Sequence, residues 1–108
     1  MTTAPRRWAG ELLHFWFEKL GAPDWWGVSP AVDDHLRKRF ARELTMLRSR
    51  PAREFLRDPL TARAAVLLFD QLPRNLYRND RRAFAHDRLA RRIAKGLIAR
   101  GLAQAAGG

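Results

Sequence analysis

Val66–Asp87 reads VLLFDQLPRNLYRNDRRAFAHD, and its interpretation decides the fold. An apolar run ends on Asp70-Gln71, meets Pro73, turns through Arg74-Asn75 and Arg78-Asn79, and restarts as a second helical pattern. From Leu60 to Leu72 the residues Leu60, Val66, Leu67, Leu68, Phe69 and Leu72 cover most faces of a helical wheel, the pattern of a central buried helix. Proline has no N–H and its ring meets the carbonyl four residues back, so this helix is expected to stop at Pro73. A carboxylate at position 70 is then opposed twice, by burial and by the negative end of the helix dipole. It needs a cation. Arg74 and Arg78 stand nearest in the chain, and the Phe69 carbonyl, left open by Pro73, is a further acceptor for them. The stretch predicts a buried polar knot of Asp70, Arg74 and Arg78 that sets the angle between two helices, with Asp87 as the second carboxylate beside it.

Downstream, Asp80 is placed to cap the last helix, and Asn79 tolerates the left-handed turn before it. Leu89, Ile93 and Leu97 form a spine flanked by Ala85, Ala90 and Ala94, small enough for a neighbouring helix to approach. Arg88, Arg91, Arg92 and Lys95 cluster opposite. His86 projects into the apolar face. Gly101 is expected to end this helix, leaving a single domain over 1–101 and a flexible tail over 102–108.

Upstream, Asp58-Pro59 is a cap followed by proline and opens the central helix, and Ser29-Pro30 repeats the device with Asp33-Asp34 in the first turn, where the dipole favours acid. Val32, Leu36, Phe40, Leu44 and Leu47 recur at helical spacing, while Arg37, Lys38, Arg42 and Arg48 read as solvated charge. Pro51 ends that helix, and 52–57 adds a short turn that packs Phe55 and Leu56. The first helix spans Pro5 to Leu20 with Trp8, Leu12, Phe15 and Trp16 on its core face, and Gly21 stops it. His14, inside this apolar cluster, is expected as a core histidine. The adjacent Trp25 and Trp26 in the following loop cannot face the same way, so one packs inward and the other is a candidate aromatic anchor.

The 108 residues suffice for one domain, and 46% hydrophobic content excludes a disordered chain. Lys and Arg number 21 against 11 Asp and Glu, a formal charge of +10 that attracts polyanions and is read first as a solvated basic surface. Cysteine is absent, which excludes disulfides and thiolate metal sites and suits a cytoplasmic location. The longest apolar run, Ala64–Phe69, falls far short of the ~20 residues that span a bilayer, so no membrane insertion is expected. Arg6-Arg7 is followed by Glu11 and His14, which interrupt the apolar core a twin-arginine signal requires.

The run LLFDQLPRNLYRNDRRAFAHD resembles the pattern LLDQFPRNxFRG followed by AFAxD of the bacterial family called domain of unknown function 924. The upstream HFWFEKL, the Trp25-Trp26 pair and Arg39-Phe40 are similar to that family's amino-terminal pattern. The resemblance implies an all-α architecture of antiparallel, tetratricopeptide-like helix pairs with about four main helices, and it implies no reaction. The family's polar positions fall on Asp70, Gln71, Arg74, Asn75, Arg78 and Asp87. Asn79 stands where the family has glycine. The resemblance also implies further helices after Gly101, so the expectation is the amino-terminal part of a longer domain: a truncated copy, a fragment or a self-associating variant such as a homodimer.

These residues point first to a binding or scaffold module for a peptide, a protein or a small anionic ligand that Arg74 or Arg78 could grip in the planar bidentate manner. A second reading makes Asp70 and Asp87 an acid–base pair with His86 in one pocket, where burial would separate two carboxylate pKa values. A third uses the basic face of the last helix for non-specific nucleic-acid or polyanion binding, although the aromatics are not interleaved with it as stacking would need. No cofactor motif is present, and His14, His35 and His86 lack metal-ligand spacing.

Overall fold

A computed structural model describes residues 6–19, 30–78 and 80–107; the Trp25-Trp26 anchor, the Gly21 stop, the Ser29 cap and Asn79 lie outside the described residues. The architecture is all-α. Helix α1 covers Arg6–His14 and continues as a π-helical turn over Phe15–Lys19. Helix α2 covers Pro30–Leu47 and the short α3 covers Ala52–Phe55. Helix α4, Pro59–Val66, passes through a second π-helical turn, Leu67–Gln71, into α5, Leu72–Leu76. A 3₁₀ turn at Arg81–Phe84 leads to α6, Asp87–Gly107.

The central position of the 60–72 segment follows from its side chains. Ala62, Ala64, Ala65, Leu68, Phe69 and Leu72 are all buried, and α4 packs against α1 on one side and α6 on the other. Leu60 is the exception and faces solvent. The stripes of the flanking helices face the same core: Trp8, Leu12 and Trp16 from α1, Leu36, Phe40 and Leu44 from α2, Ala90 and Ile93 from α6. Phe55 on α3 meets Phe69 in a T-shaped contact, ring centroids 5.4 Å apart. The cap at Asp58 is formed as the sequence suggests, accepting from the Thr61 N–H at 3.0 Å and from its hydroxyl at 2.8 Å.

Pro73 does not stop the helix. The Leu72 N–H reaches back five residues to the Leu67 carbonyl, so the backbone is widened by one residue just before the proline. That extra residue moves the carbonyl the pyrrolidine ring would have struck, and helical geometry resumes until Tyr77. Two further expectations are corrected by the backbone. Asp80 caps the 3₁₀ turn through the Arg82 N–H, whereas α6 begins only at Asp87. Gly101 is absorbed inside α6, because a lone helical glycine costs only about 1 kcal/mol relative to alanine and good helix formers follow it.

Close approach to α6 occurs at Gly96. A Cβ there would lie 3.0 Å from Leu56 Cδ2 and nearer still to its Cδ1, so the α3 segment seats Leu56 in the space glycine leaves.

Candidate functional site: two carboxylate clamps at the bend

The widened turn determines where the polar side chains point. Asp70 sits inside it and Arg74 one turn later, so the Arg74 guanidinium folds back and donates to both the Asp70 carbonyl and, at 2.9 Å, the Asp70 carboxylate. The open acceptor is therefore the Asp70 carbonyl; the expected role of the Phe69 carbonyl is not observed. The same guanidinium reaches the start of α6, where it grips Asp87 with two parallel hydrogen bonds of 3.1 Å. Gln71 donates to the second Asp70 oxygen at 2.7 Å. Phe84 covers the outer face, its ring centroid 5.0 Å from the Arg74 guanidinium carbon, a cation–π contact.

Arg78 does not join this cluster. Tyr77 leaves the helical region at φ −125° and ψ 49°, which turns Arg78 away from Asp70 and toward the first turn of α2. There it forks onto Asp33 through Nε at 2.8 Å and Nη2 at 3.1 Å, while the Asn75 amide donates to the same carboxylate at 2.9 Å. The single predicted knot is thus two clamps that share a bend: Arg74 ties the π-helical turn and α5 to the start of α6, and Arg78 with Asn75 ties α5 to α2. Asp33 is the residue that sequence reading missed, because an acid in a first helical turn is already explained by the dipole.

The burial expected of the knot is overturned. Side-chain exposures are 36% for Asp70, 34% for Arg74 and 30% for Asp87, so the first clamp is half-buried at the surface of the corner. Asp33, at 12%, is the buried member of the second. Burial alone would raise the Asp33 carboxyl, but hydrogen bonds from Arg78 and Asn75 and the charges of Arg78 and Arg37 outweigh it and hold the group below its ordinary value.

His86 stands beside Phe69, ring centroids 6.1 Å apart, with Nδ1 shielded from solvent and without a hydrogen-bond partner among the described residues. Burial lowers its pKa, the nearby Arg48 charge lowers it further, and Asp87 opposes both. The two shifts act in the same direction on stability. A carboxyl depressed in the fold contributes fully above about pH 3.9 and loses that contribution as pH falls through its folded value. A depressed histidine lets the unfolded chain take the proton first, so stability begins to fall below about pH 6.5. Urea unfolding at a series of pH values should therefore show two acid-side declines. His86→Phe should remove the upper one and Asp33→Asn should reduce the lower, to which Asp80, held low by Arg82, also contributes; an upper decline that survives His86→Phe would disprove the assignment.

A cleft of about 360 Å³ lies next to the first clamp, lined by Val66, Asp70, Asp87, Ala90, Arg91 and Ala94. His86 is not part of that lining, so the structure does not bring together the three groups of the acid–base reading in one pocket. His14 is exposed, correcting its expected core position: it lies two residues, or 200° of helix, from the buried Leu12. His35, also exposed, stacks on Phe15 with centroids 4.2 Å apart. Among the described residues no group of three or more His, Asp or Glu is placed to hold a metal ion. No helix among them is long and apolar enough to cross a membrane.

None of the curated proteins matches this chain. A solved structure of a protein of unknown function from Agrobacterium tumefaciens is similar to it, with a TM-score of 0.82 and 34% identity over 95% of this chain. The match covers 57% of the Agrobacterium protein, so the chain spans little more than half that protein's length. The family model described as bacterial protein of unknown function (DUF924) matches residues 12–107, which include both clamps and the cleft between α4 and α6. The chain belongs to the DUF924 family of bacterial proteins.

Proposed function

We propose that this chain is a helical binding module whose cleft beside the Arg74 corner receives an apolar segment of a partner protein or peptide. The observation that carries the reading is that one guanidinium holds both carboxylates of the corner, which makes Asp70 and Asp87 a fixed frame. Next to that frame Val66, Ala90 and Ala94 offer an apolar floor, and Arg91 contributes a cation with no ion pair among the described residues. An apolar side chain entering there removes surface from water, and a carboxylate carried beside it meets Arg91. Acid–base catalysis would need an Asp70 or Asp87 free of its guanidinium, so this arrangement favours binding over chemistry.

The test uses N-acetyl-leucinamide as the probe and the methyl resonances of the full chain as the readout. Titration should move Val66, Ala90 and Ala94 selectively, and Ala94→Trp, which fills the cleft, should suppress the shifts at Val66 and Ala90. Shifts spread evenly over the protein, or unchanged in Ala94→Trp, would remove the cleft as a binding site.

A further inference from the structure

A second groove, of about 500 Å³, runs between α1 and α2 away from both clamps. Its apolar wall comes from Trp8, Met46 and Leu47, and Met46 is 60% exposed although it is a large hydrophobic side chain. Methionine in such a place is an adaptable contact, since its unbranched chain can repack around different shapes. The rim carries Arg7, Arg42 and Arg50. Among the described residues Arg7 and Arg42 have no ion pair, and Arg50 has a solvent-exposed one of 3.5 Å to Glu54. Glu11, also in the lining, is already neutralised by Arg39.

Glu43 completes the groove. Its Oε1 is shut off from solvent and has no hydrogen-bond partner among the described residues, an arrangement that folded proteins avoid because an unpaired buried oxygen is costly. An occupant that relieves it must bring a donor to the centre while presenting acid to the arginines at the rim. A phosphodiester backbone or an anionic lipid phosphate supplies the acid but no N–H, and its charge would lie against the Glu43 carboxylate. An acidic helical peptide supplies both, with the free N–H groups of its first turn facing Glu43 and its carboxylates facing the guanidinium forks.

We propose that the α1–α2 groove is a docking site for an acidic amphipathic peptide segment, seated by apolar side chains against Trp8, Met46 and Leu47 and by carboxylates on Arg7, Arg42 and Arg50. This site is separate from the cleft at the Arg74 corner and stands without it.

The experiment measures fluorescence anisotropy at physiological salt with a labelled peptide of about three helical turns built from glutamate and leucine. The full chain should bind it. The Arg7→Ala/Arg42→Ala double variant should weaken binding by about tenfold or more, as truncation of interface arginines does. Met46→Glu should do the same, and all three positions are exposed, so the fold is not at stake. Arg88→Ala/Arg92→Ala on α6 should leave binding unchanged. Absence of binding, equal binding of polyglutamate or oligothymidylate, or loss that follows the α6 pair instead of the groove would each overturn the proposal.

Discussion

Phe69→Ala is expected to lower the unfolding free energy by about 3–5 kcal/mol, measured by urea denaturation, enough to leave a domain of this size partly unfolded. Phe69 is fully buried between Phe55, which it meets in a T-shaped contact, and the tilted ring of His86, inside the π-helical turn itself. Its removal empties the junction where α3, α4 and the start of α6 meet. Packing of this ring supports the widened backbone from the core side. The consequence reaches the clamp, because Asp70 follows directly and its aim depends on that backbone. Phe69→Leu keeps most of the volume and should cost less than half as much. If the alanine variant loses under about 1 kcal/mol, the centre of the fold has been misplaced.

Arg74→Ala is the second large effect, expected at about 2 kcal/mol. Breaking a buried ion pair costs about 3–5 kcal/mol, whereas an exposed pair contributes at most about 1. With all three side chains about one-third exposed, the corner lies between these limits. The loss has two sources: the Asp70 carbonyl surrenders the Arg74 donor, and two carboxylates are left facing each other where the π-helical turn meets α6. The second source is separable from the first. Adding Asp87→Asn to the Arg74→Ala background should recover part of the stability by removing one of the like charges, a coupling that a double-mutant cycle reads directly. Independent, additive effects would mean that Arg74 does not bridge the two acids.

The two variants differ in what the sequence could disclose about them. Phe69 lies in an apolar helical run, and such runs are buried in almost any fold, so its place in the core follows from composition and periodicity alone. The caps behave alike: Asp58 before Pro59 is a local device, and local geometry is enough to satisfy it. The path of the chain at Pro73 was less legible. A proline predicts a break when the preceding backbone is a regular α-helix, and nothing in the one-dimensional pattern marks the single inserted residue that lets the helix continue.

The partners of the arginines were decided at a longer range still. Asp70, Arg74 and Asp87 are close in sequence, and that clamp could be anticipated from need: a carboxylate at the end of a helix requires a cation. Its burial could not, since exposure depends on how far Phe84 and α6 cover the corner. Arg78 and Asp33 are separated by 45 residues, and each has a sufficient local explanation, one as a turn residue and one as a first-turn acid. Local pattern therefore determined the helices, their buried faces and the presence of a charged corner. Only the packing of α2 against α5 decided which acid Arg78 would hold, because ion pairing is fixed by distance in space, and sequence carries that distance only within about one helical turn.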